Sequence, residues 1–402
     1  MKQEHSPILL EQLPVDNAWS GHKVNFALLT TPIRQYVGYY NADRQLVLAS
    51  RPTGSRQWEY HPLDTAVGWD SHNTIQLFCD STGCLHIAAN MHAAPLIYFQ
   101  MTRPHDPDSL VRVPSLVGNC EERCTYPRFL TGADGRMIFH YRYGVSGCGN
   151  EIYNVYDAQT RRWSRLLDQP LTAGNDRMNA YFFGPVAGPD GFFHLAWVWR
   201  DSGDCATNHD LCYARSRDLL HWENAEGRRL ALPLTIDSPG VIVLPTSASG
   251  SGLINMCGSI GFDGRKRPIL SFHLYDGDGA SRIFTLRVNP DGHHQLVPHG
   301  NWPAAERWEF SGYGSIRQLV FAPPVQLQPD GTLLQEFEFI DREAGCWRLN
   351  PETLKTLETL PPRSSCPPEL RKMEQSFPGL IRNWLPDTGS SGAEGVQWFL
   401  RW

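Results

Sequence analysis

Histidine, tyrosine and arginine side chains recur at matched positions in successive segments of the chain. His72 and His92 are 20 residues apart, and Tyr126 and Arg142 are 16 residues apart. Histidine and tyrosine can transfer protons, and arginine binds a carboxylate through two parallel hydrogen bonds. Together these residue types indicate a pocket that binds an anionic group and moves a proton beside it.

Hairpin geometry predicts which side chains meet. In an antiparallel hairpin, residues equally distant from the turn lie across from each other at the same end of the strands. Four turns have such polar pairs: Ser81-Thr82 with His72 and His92, Asp134-Gly135 with Tyr126 and Arg142, Asp190-Gly191 with Tyr181 and Arg200, and Asp263-Gly264 with Asn255 and His273. Each residue alone is typical of a hydrogen-bonded strand end, but the shared register predicts one pocket.

The hairpin itself repeats along the chain. Clear copies lie at 73–92, 126–142, 181–200 and 255–273, and weaker ones at 37–51 and 325–339. A further aromatic strand and a Trp-bearing strand follow several of them, ending at Trp163, Trp222 and Trp347. Short antiparallel strands at this repeat length are typical of propeller blades. We predict an all-β fold: a single β-propeller over 1–402 with about seven blades, closed by pairing of 395–402 with 23–30.

The composition agrees with many short strands. Aromatic and turn residues are abundant, with 13 Trp, 14 Tyr, 35 Gly and 30 Pro. The net charge of −6 gives no electrostatic reason to expect nucleic acid or a membrane as partner. No signal peptide or long apolar span is visible, so we expect a cytoplasmic protein, or a secreted or periplasmic one if a leader was removed.

A second cluster suggests a metal site. His194, Cys205, His209 and Cys212 offer four zinc-compatible ligands, although their spacing matches no standard finger. The alternatives are core histidines with free thiols, or His209 as a substrate contact. Cys120 and Cys124 form a weaker metal pair. The ten cysteines in all are expected to be free.

Several common catalytic motifs are absent. No GxSxG or HExxH sequence supports a serine hydrolase or a metalloprotease, and no GxxxxGK[ST] loop supports phosphate binding. The eight predicted pocket residues also include no pair of carboxylates, which an ordinary glycosidase needs on either side of the scissile bond.

Several motifs in order resemble the seven-bladed propeller polysaccharide lyases. They are DSHNT (70–74), NMHAAPLIYF (90–99), TYPRF (125–129), YRYGVSGCGN (141–150), FHLAWVWR (193–200) and NHDLCYARS (208–216). That group includes ulvan lyases and L-rhamnose-α-1,4-D-glucuronate lyases, with a related set of α-L-rhamnosidases. The resemblance covers roughly residues 20 to 320.

The resemblance implies roles for these residues. His72, His92, Tyr126 and Arg142 match the catalytic group of those lyases, and Tyr181 and Arg200 match further pocket residues. It implies β-elimination at a 4-linked uronate in an acidic oligosaccharide or polysaccharide, yielding an unsaturated uronate. Which group is the base and which the acid stays open, as does exo or endo action.

Two other functions stay open beside the lyase. An α-L-rhamnosidase would use the same scaffold, and a carbohydrate-binding propeller would keep the fold without catalysis. We expect Asn255, His273 and His209 to contact the substrate. No cofactor is expected for the chemistry, and a structural zinc or calcium ion is an open expectation.

Overall fold

The computed structural model describes residues 8–363, 368–370, 377–390, 392 and 394–402. Nearly all regular structure in this part of the chain is β-strand, and every named strand pair is antiparallel. The helical segments are five three-residue 3-10 turns: Pro107–Ser109, Cys205–Thr207, Asn255–Cys257, Ala304–Glu306 and Pro368–Leu370. The all-β prediction is confirmed.

The first three sheets lie in the first 165 residues. The first sheet has the order β1 (Ala27–Thr30), β2 (Arg34–Tyr40), β3 (Gln45–Pro52) and β4 (Glu59–Ala66). Next come β5 (Ile75–Cys79), β6 (Leu85–Ala89), β7 (His92–Ala94), β8 (Tyr98–Met101) and β9 (Leu110–Arg112), of which all but β7 form the second sheet. The third sheet contains β10 (Cys124–Thr131), β11 (Met137–Val145), β12 (Cys148–Asp157) and β13 (Arg162–Arg165). Strand β7 pairs with β10 and is the fifth strand of this third sheet, although in the sequence it lies between β6 and β8 of the second.

Three more sheets follow in the same manner. The fourth contains β14 (Asn179–Ala187), β15 (Phe193–Arg200), β16 (Asn208–Ser216), β17 (Trp222–Glu223) and, on β16, β18 (Ile242–Leu244). The fifth contains β19 (Ser259–Phe262), β20 (Pro268–Tyr275), β21 (Ser281–Arg287) and β22 (Gln295–His299). The sixth contains β23 (Val320–Phe321), β24 (Gln326–Leu327), β25 (Leu333–Phe339), β26 (Glu343–Leu349) and β27 (Thr356–Leu360).

The repeated Asp-containing turns end the first strand of a hairpin for a local reason. The Asp80 carboxylate accepts hydrogen bonds from the backbone amides of Thr82 and Cys84, at 2.8 and 3.0 Å. Asp263 accepts in the same way from the amides of Arg265 and Arg267. Such side-chain bonds to the backbone two and four residues ahead stabilise a tight turn. The predicted hairpins are confirmed as paired strands at all six positions.

Apolar clusters fill the space between neighbouring sheets. One cluster joins Phe183 of β14 and Val198 of β15 to Ile260 of β19 and Phe272 of β20. Sheet-to-sheet contact of this kind is what a blade requires, since one sheet alone cannot bury either of its faces. The sheets therefore stack through their faces and leave strand ends free to carry polar side chains.

The C-terminal segment meets the first sheet differently from the prediction. Strand β29 (Phe399–Arg401) pairs with β28 (Trp384–Pro386) rather than with residues 23–30. The bonds to β1 come instead from the amides of Thr388 and Ser390, which donate to the carbonyls of Leu28 and Thr30. The Trp402 ring stacks on Phe26 at 5.0 Å between centroids. The seven-blade count and the single domain over 1–402 stay predictions.

The nine cysteines within the described residues are free, as expected, and Cys366 lies outside them. No helix of the described part is long and apolar enough to cross a bilayer.

Candidate active site

Two histidines lie face to face on one aspartate. His72 precedes β5, and His92 begins β7; their rings stack with centroids 4.0 Å apart and an angle of 21°. The Asp70 carboxylate accepts from His72 Nδ1 at 2.6 Å through Oδ1, and from His92 Nδ1 through Oδ2. Among the described residues, no side chain or backbone group hydrogen-bonds Nε2 of either ring. Both Nε2 atoms are thus available to a ligand.

The charges of this group follow from its surroundings. Burial lowers the pKa of His72, and the adjacent His92 lowers it further. Burial alone would raise the pKa of Asp70, but hydrogen bonds from the His72 amide and from both rings bring it to about 2. Asp70 is therefore ionised at neutral pH, and it fixes the Nδ1–H tautomer of the neutral His72 ring.

Tyr126 lies between the histidines and the cationic side of the site. Its ring centroid is 5.6 Å from that of His72 and 6.0 Å from that of Tyr181. The strand β10 has a register shift here, and Tyr126 adopts a left-handed φ of 56°, which a non-glycine residue rarely takes. Within the described chain, no group hydrogen-bonds its hydroxyl. A bulge at this place turns the side chain out of the ladder and into the site.

Burial is the largest influence on the Tyr126 hydroxyl. It raises the pKa to about 12, and Tyr181 adds to the rise, whereas Arg142 and Arg200 act to lower it. The phenol is protonated at neutral pH as a result, and the two nearby cations would stabilise a phenolate if one formed. Tyr126 is therefore suited to donate a proton.

Arg142 is a buried cation without a carboxylate partner among the described residues. Arg142 is only 1% exposed, and its guanidinium carbon lies 5.0 Å from the Tyr126 ring centroid. Nη2 donates to Thr125 Oγ1 at 2.9 Å, and Nη1 to Tyr181 Oη at 3.3 Å. Burying an unpaired charge is costly, so this arrangement favours a site that receives an anion.

A second arginine lies beside the first. The Arg200 guanidinium carbon is 4.0 Å from the Tyr181 ring centroid, and its Nη2 donates to Tyr181 Oη and to Ser146 Oγ. The Tyr181 hydroxyl donates in turn to Ser146 and accepts from both arginines. Tyr181 thus holds the two guanidinium groups next to each other. Like Arg142, Arg200 has no ion pair within the described chain.

The pairs predicted from the hairpins are close, but not always directly across from each other. In the ladder between β10 and β11, Arg142 lies opposite Thr125, which is the residue before Tyr126. Arg200 lies opposite Asn179, and Tyr181 opposite Val198. The bulge in β10 and a register shift after Phe183 in β14 change the count that equal spacing from the turn assumes. The six-residue pocket forms nonetheless, and the roles of its members stay predictions.

Two of the predicted substrate contacts have no ring nitrogen free for substrate. His273 is fully buried; its Nδ1 lies 2.6 Å from the Gly252 carbonyl and its Nε2 2.8 Å from Ser281 Oγ, and burial lowers its pKa to about 4. His209 is bound by Asp201 and Asp210 at its two ring nitrogens. The prediction was wrong for these two rings because each satisfies its polar atoms inside the protein. Asn255 lies in a 3-10 turn before β19, so it is not paired with His273 across a hairpin.

The four predicted zinc ligands do not form one site. His194 is opposite Arg215 and His209 opposite Trp199, which places them about 16 Å apart along β15 at a rise of roughly 3.3 Å per residue. His194 is instead bound by Tyr213 Oη and Asp190. In the described part of the chain, the ligand atoms close enough for a metal ion, within 4.8 Å, are those of Asp70, His72 and His92. The hydrogen bonds to Asp70 account for that spacing.

Sequence reasoning missed Asp70. The residue lies in the quoted motif DSHNT, two positions before His72, where an aspartate commonly accepts from the amide two residues on. The structure shows that bond at 2.9 Å. The turn signal could therefore have identified Asp70, but its second bond, to His92, depends on the packing of β7.

Stacked antiparallel sheets with a polar, cationic pocket at their strand ends define a β-propeller with a site suited to an acidic ligand. The chain belongs to the BNR repeat-containing family, whose model matches residues 34–302. It is 25% identical over 134 residues to the short isoform of ulvan lyase from Alteromonas sp. (strain LOR), an alignment that covers 30% of this chain and 25% of that one. A long isoform from Pseudoalteromonas sp. (strain PLSV) is 26% identical over 144 residues, 32% of this chain and 14% of that one. The aligned part spans about a quarter or less of these two relatives.

Solved structures extend the likeness of fold over most of the chain. A PL25 ulvan lyase bound to -[GlcA(1-4)Rha3S]- matches with a TM-score of 0.59 at 14% identity, covering 86% of each chain. The polysaccharide lyase Uly1 matches with a TM-score of 0.57 at 16% identity, covering 99% of this chain and 93% of that one. The resemblance to the propeller polysaccharide lyases is confirmed.

Proposed function

We propose that this protein is a lyase that cleaves an acidic oligosaccharide or polysaccharide at a 4-linked uronate, of the rhamnosyl-glucuronate type, by β-elimination. One observation carries the proposal: the cations Arg142 and Arg200 lie without a carboxylate partner, within the described residues, beside a tyrosine and a histidine pair with free Nε2 atoms. The relatives named ulvan lyases, one solved with a glucuronate-rhamnose ligand, support the choice of substrate.

The two arginines would lower the energy barrier to removal of the C5 proton. A proton on C5 of a uronate is only weakly acidic, and its removal places negative charge on the adjacent carboxylate. Arg142 and Arg200 would bind that carboxylate and stabilise the charge as it develops. Because Arg142 is buried, its charge acts with little screening by water.

His72 and Tyr126 fit the base and the acid. The C5–H bond breaks and its proton goes to His72 Nε2, whose lone pair is free because Asp70 accepts from Nδ1. The electron pair forms the C4–C5 double bond, and the C4–O4 bond breaks. Tyr126 donates its proton to O4, and the phenolate formed lies beside Arg142 until solvent returns a proton to it and removes the proton held by His72. His92 would share Asp70 and hold the base in place.

A hydrolase fits the site less well. Within the described residues, Asp70 is the one carboxylate that hydrogen-bonds to the six pocket side chains, and both of its oxygens are occupied by histidines. A glycosidase needs two carboxyl groups at the scissile bond, one of them protonated. The pKa of about 2 for Asp70 opposes the acid role.

The test is incubation with a rhamnosyl-glucuronate oligosaccharide while ultraviolet absorbance is followed. A lyase gives a steady rise, because the unsaturated uronate absorbs and the substrate does not. Free rhamnose without that rise would favour an α-L-rhamnosidase instead. Binding by calorimetry without turnover would favour a carbohydrate-binding propeller.

A further inference from the structure

A short loop at 311–315 presents an exposed aromatic ring. Its sequence is Ser-Gly-Tyr-Gly-Ser, and the flanking residues Phe310 and Ile316 pack against an apolar core cluster. Gly312 and Gly314 both have a φ of 88°, a left-handed conformation that favours glycine. Tyr313, between them, is 79% exposed. The loop is thus held at both ends while its central side chain points away from the core.

One end of this loop is attached next to the Arg200 side of the site. The Cys205 amide donates to the Gly312 carbonyl at 3.0 Å, and the Gly312 amide donates to Asp204 Oδ1 at 2.7 Å. The Tyr313 ring lies directly on Gly203, where an added Cβ would be 2.4 Å from its Cδ1 and Cε1 atoms. Gly203 comes three residues after Arg200, so the ring is fixed near that cation.

The other end is attached next to the histidines. Ser315 Oγ hydrogen-bonds to Ser71 Oγ, and Ser71 lies between Asp70 and His72 in the chain. Gly312 and Ser315 are three residues apart, a span of at most about 11 Å. The loop therefore bridges the arginine side and the histidine side of the pocket, and Tyr313 lies on that bridge.

We propose that Tyr313 is a sugar-binding platform at the rim of the pocket, in contact with the pyranose ring next to the bound uronate. An exposed aromatic face attracts the C–H face of a hexopyranose, above all a deoxy sugar with an extra apolar group, because both surfaces leave water. Packing on Gly203 holds the ring before the sugar arrives, which reduces the entropy lost on binding. The inference rests on the proposed function, since it places the uronate at Arg142 and Arg200.

Steady-state kinetics and calorimetry with a rhamnosyl-glucuronate oligosaccharide test this platform. Tyr313→Ala should raise KM about tenfold, because an aromatic contact that becomes buried when the sugar binds is lost, and should change kcat little, because the contact is remote from the reacting atoms. Tyr60→Ala is the matched control: Tyr60 is 47% exposed on β4 and is not tied to the pocket. It should leave KM unchanged.

Gly203→Ala gives a second, independent variant. The backbone of Gly203 is outside the left-handed region, and the three atoms nearest to the added methyl group all belong to the Tyr313 ring, so the substitution should displace that ring. KM should rise in this variant as well. In the double variant with Tyr313→Ala the clash is gone, so KM should match that of Tyr313→Ala alone.

The outcomes separate this inference from the proposed function. An unchanged KM and binding affinity in Tyr313→Ala would overturn the platform, even if the unaltered protein is a lyase. Fully additive effects of Gly203→Ala and Tyr313→Ala would overturn it too. If the unaltered protein binds the oligosaccharide without elimination and Tyr313→Ala weakens that binding about tenfold, the platform stands and the lyase proposal fails.

Discussion

Replacing Asp70 by asparagine should disable the base while keeping the shape of the site. The carboxylate accepts from Nδ1 of both His72 and His92. An amide has one oxygen and one NH2 group, so it can accept from one ring only and must donate to the other. The ring that receives the amide hydrogen bond then carries its own proton on Nε2. If that ring is His72, it cannot take a proton from the substrate.

The size of the effect follows from the bonds that change. A hydrogen bond to a charged group is worth about 1.5–3 kcal/mol. At about 1.4 kcal/mol for each factor of ten in rate, Asp70→Asn should lower kcat by roughly 10- to 100-fold. The carboxylate also acts to raise the pKa of His72, so its removal should move the acidic limb of the pH profile to lower pH.

The assay is the pH dependence of kcat and kcat/KM, with Asp190→Asn as control. Asp190, in the turn between β14 and β15, accepts from His194 at 2.9 Å, and this aspartate-histidine pair lies outside the pocket. That variant should keep both kinetic constants and the pH profile. A normal kcat and an unmoved acidic limb in Asp70→Asn would refute the role of Asp70 in holding the base.

Arg142, Tyr126 and the buried histidines can each be tested by a single change. Arg142→Ala should lower kcat/KM by about 100-fold or more with the circular dichroism spectrum unchanged, because the carboxylate clamp is lost; a near-normal value would contradict the clamp. Tyr126→Phe should lower kcat by about 100-fold or more while substrate binding by calorimetry persists, since only the acid is removed; an unchanged kcat would exclude Tyr126 as the acid. Burial brings the pKa of His273 and of His299 from 6.5 to about 4. Unfolded chains therefore bind these protons first, and the urea midpoint should fall as the pH drops from 6.5 toward 4; a rising midpoint would contradict this sign.

The hairpins were predictable because their signal is local. An aspartate that accepts from the amides of its own turn, as Asp80 does, is visible in a few residues of sequence. Once the turn is known, strand geometry places Tyr126 near Arg142. His72 and His92 lie outside the paired residues of β5 and β6, and His92 pairs with Thr125 of β10, so their stacking also depends on packing beyond the hairpin.

Register within each hairpin was less predictable. Tyr181 lies two positions after Asn179, the residue opposite Arg200; the register shift between Phe183 and Val186 accounts for one of these positions, and the turn, centred on Asp190, for the other. The side chains still meet, because the long arginine reaches back over the Tyr181 ring. Equal spacing from a turn thus identifies which residues are neighbours, but a bulge decides which atoms touch.

The predictions that were wrong depended on contacts between segments that the spacing within one hairpin does not reveal. His273 matches the pattern of a pocket histidine, yet Gly252 and Ser281 bind both of its nitrogens. Nothing in the spacing of a single hairpin tells whether a neighbouring segment will fill that role. The same holds for the contact of Ser71 with Ser315, which joins residues 244 positions apart.

Mass spectrometry of the products formed in water labelled with heavy oxygen tests the elimination most directly. β-Elimination breaks the C4–O4 bond without adding water. Products sampled before the anomeric hydroxyl exchanges with solvent should therefore carry ordinary oxygen at the new reducing end, and one fragment should end in an unsaturated uronate. We expect this result with the unaltered protein and no products with Arg142→Ala. Heavy oxygen at a new reducing end, with no unsaturated fragment, would show hydrolysis and contradict the proposed elimination.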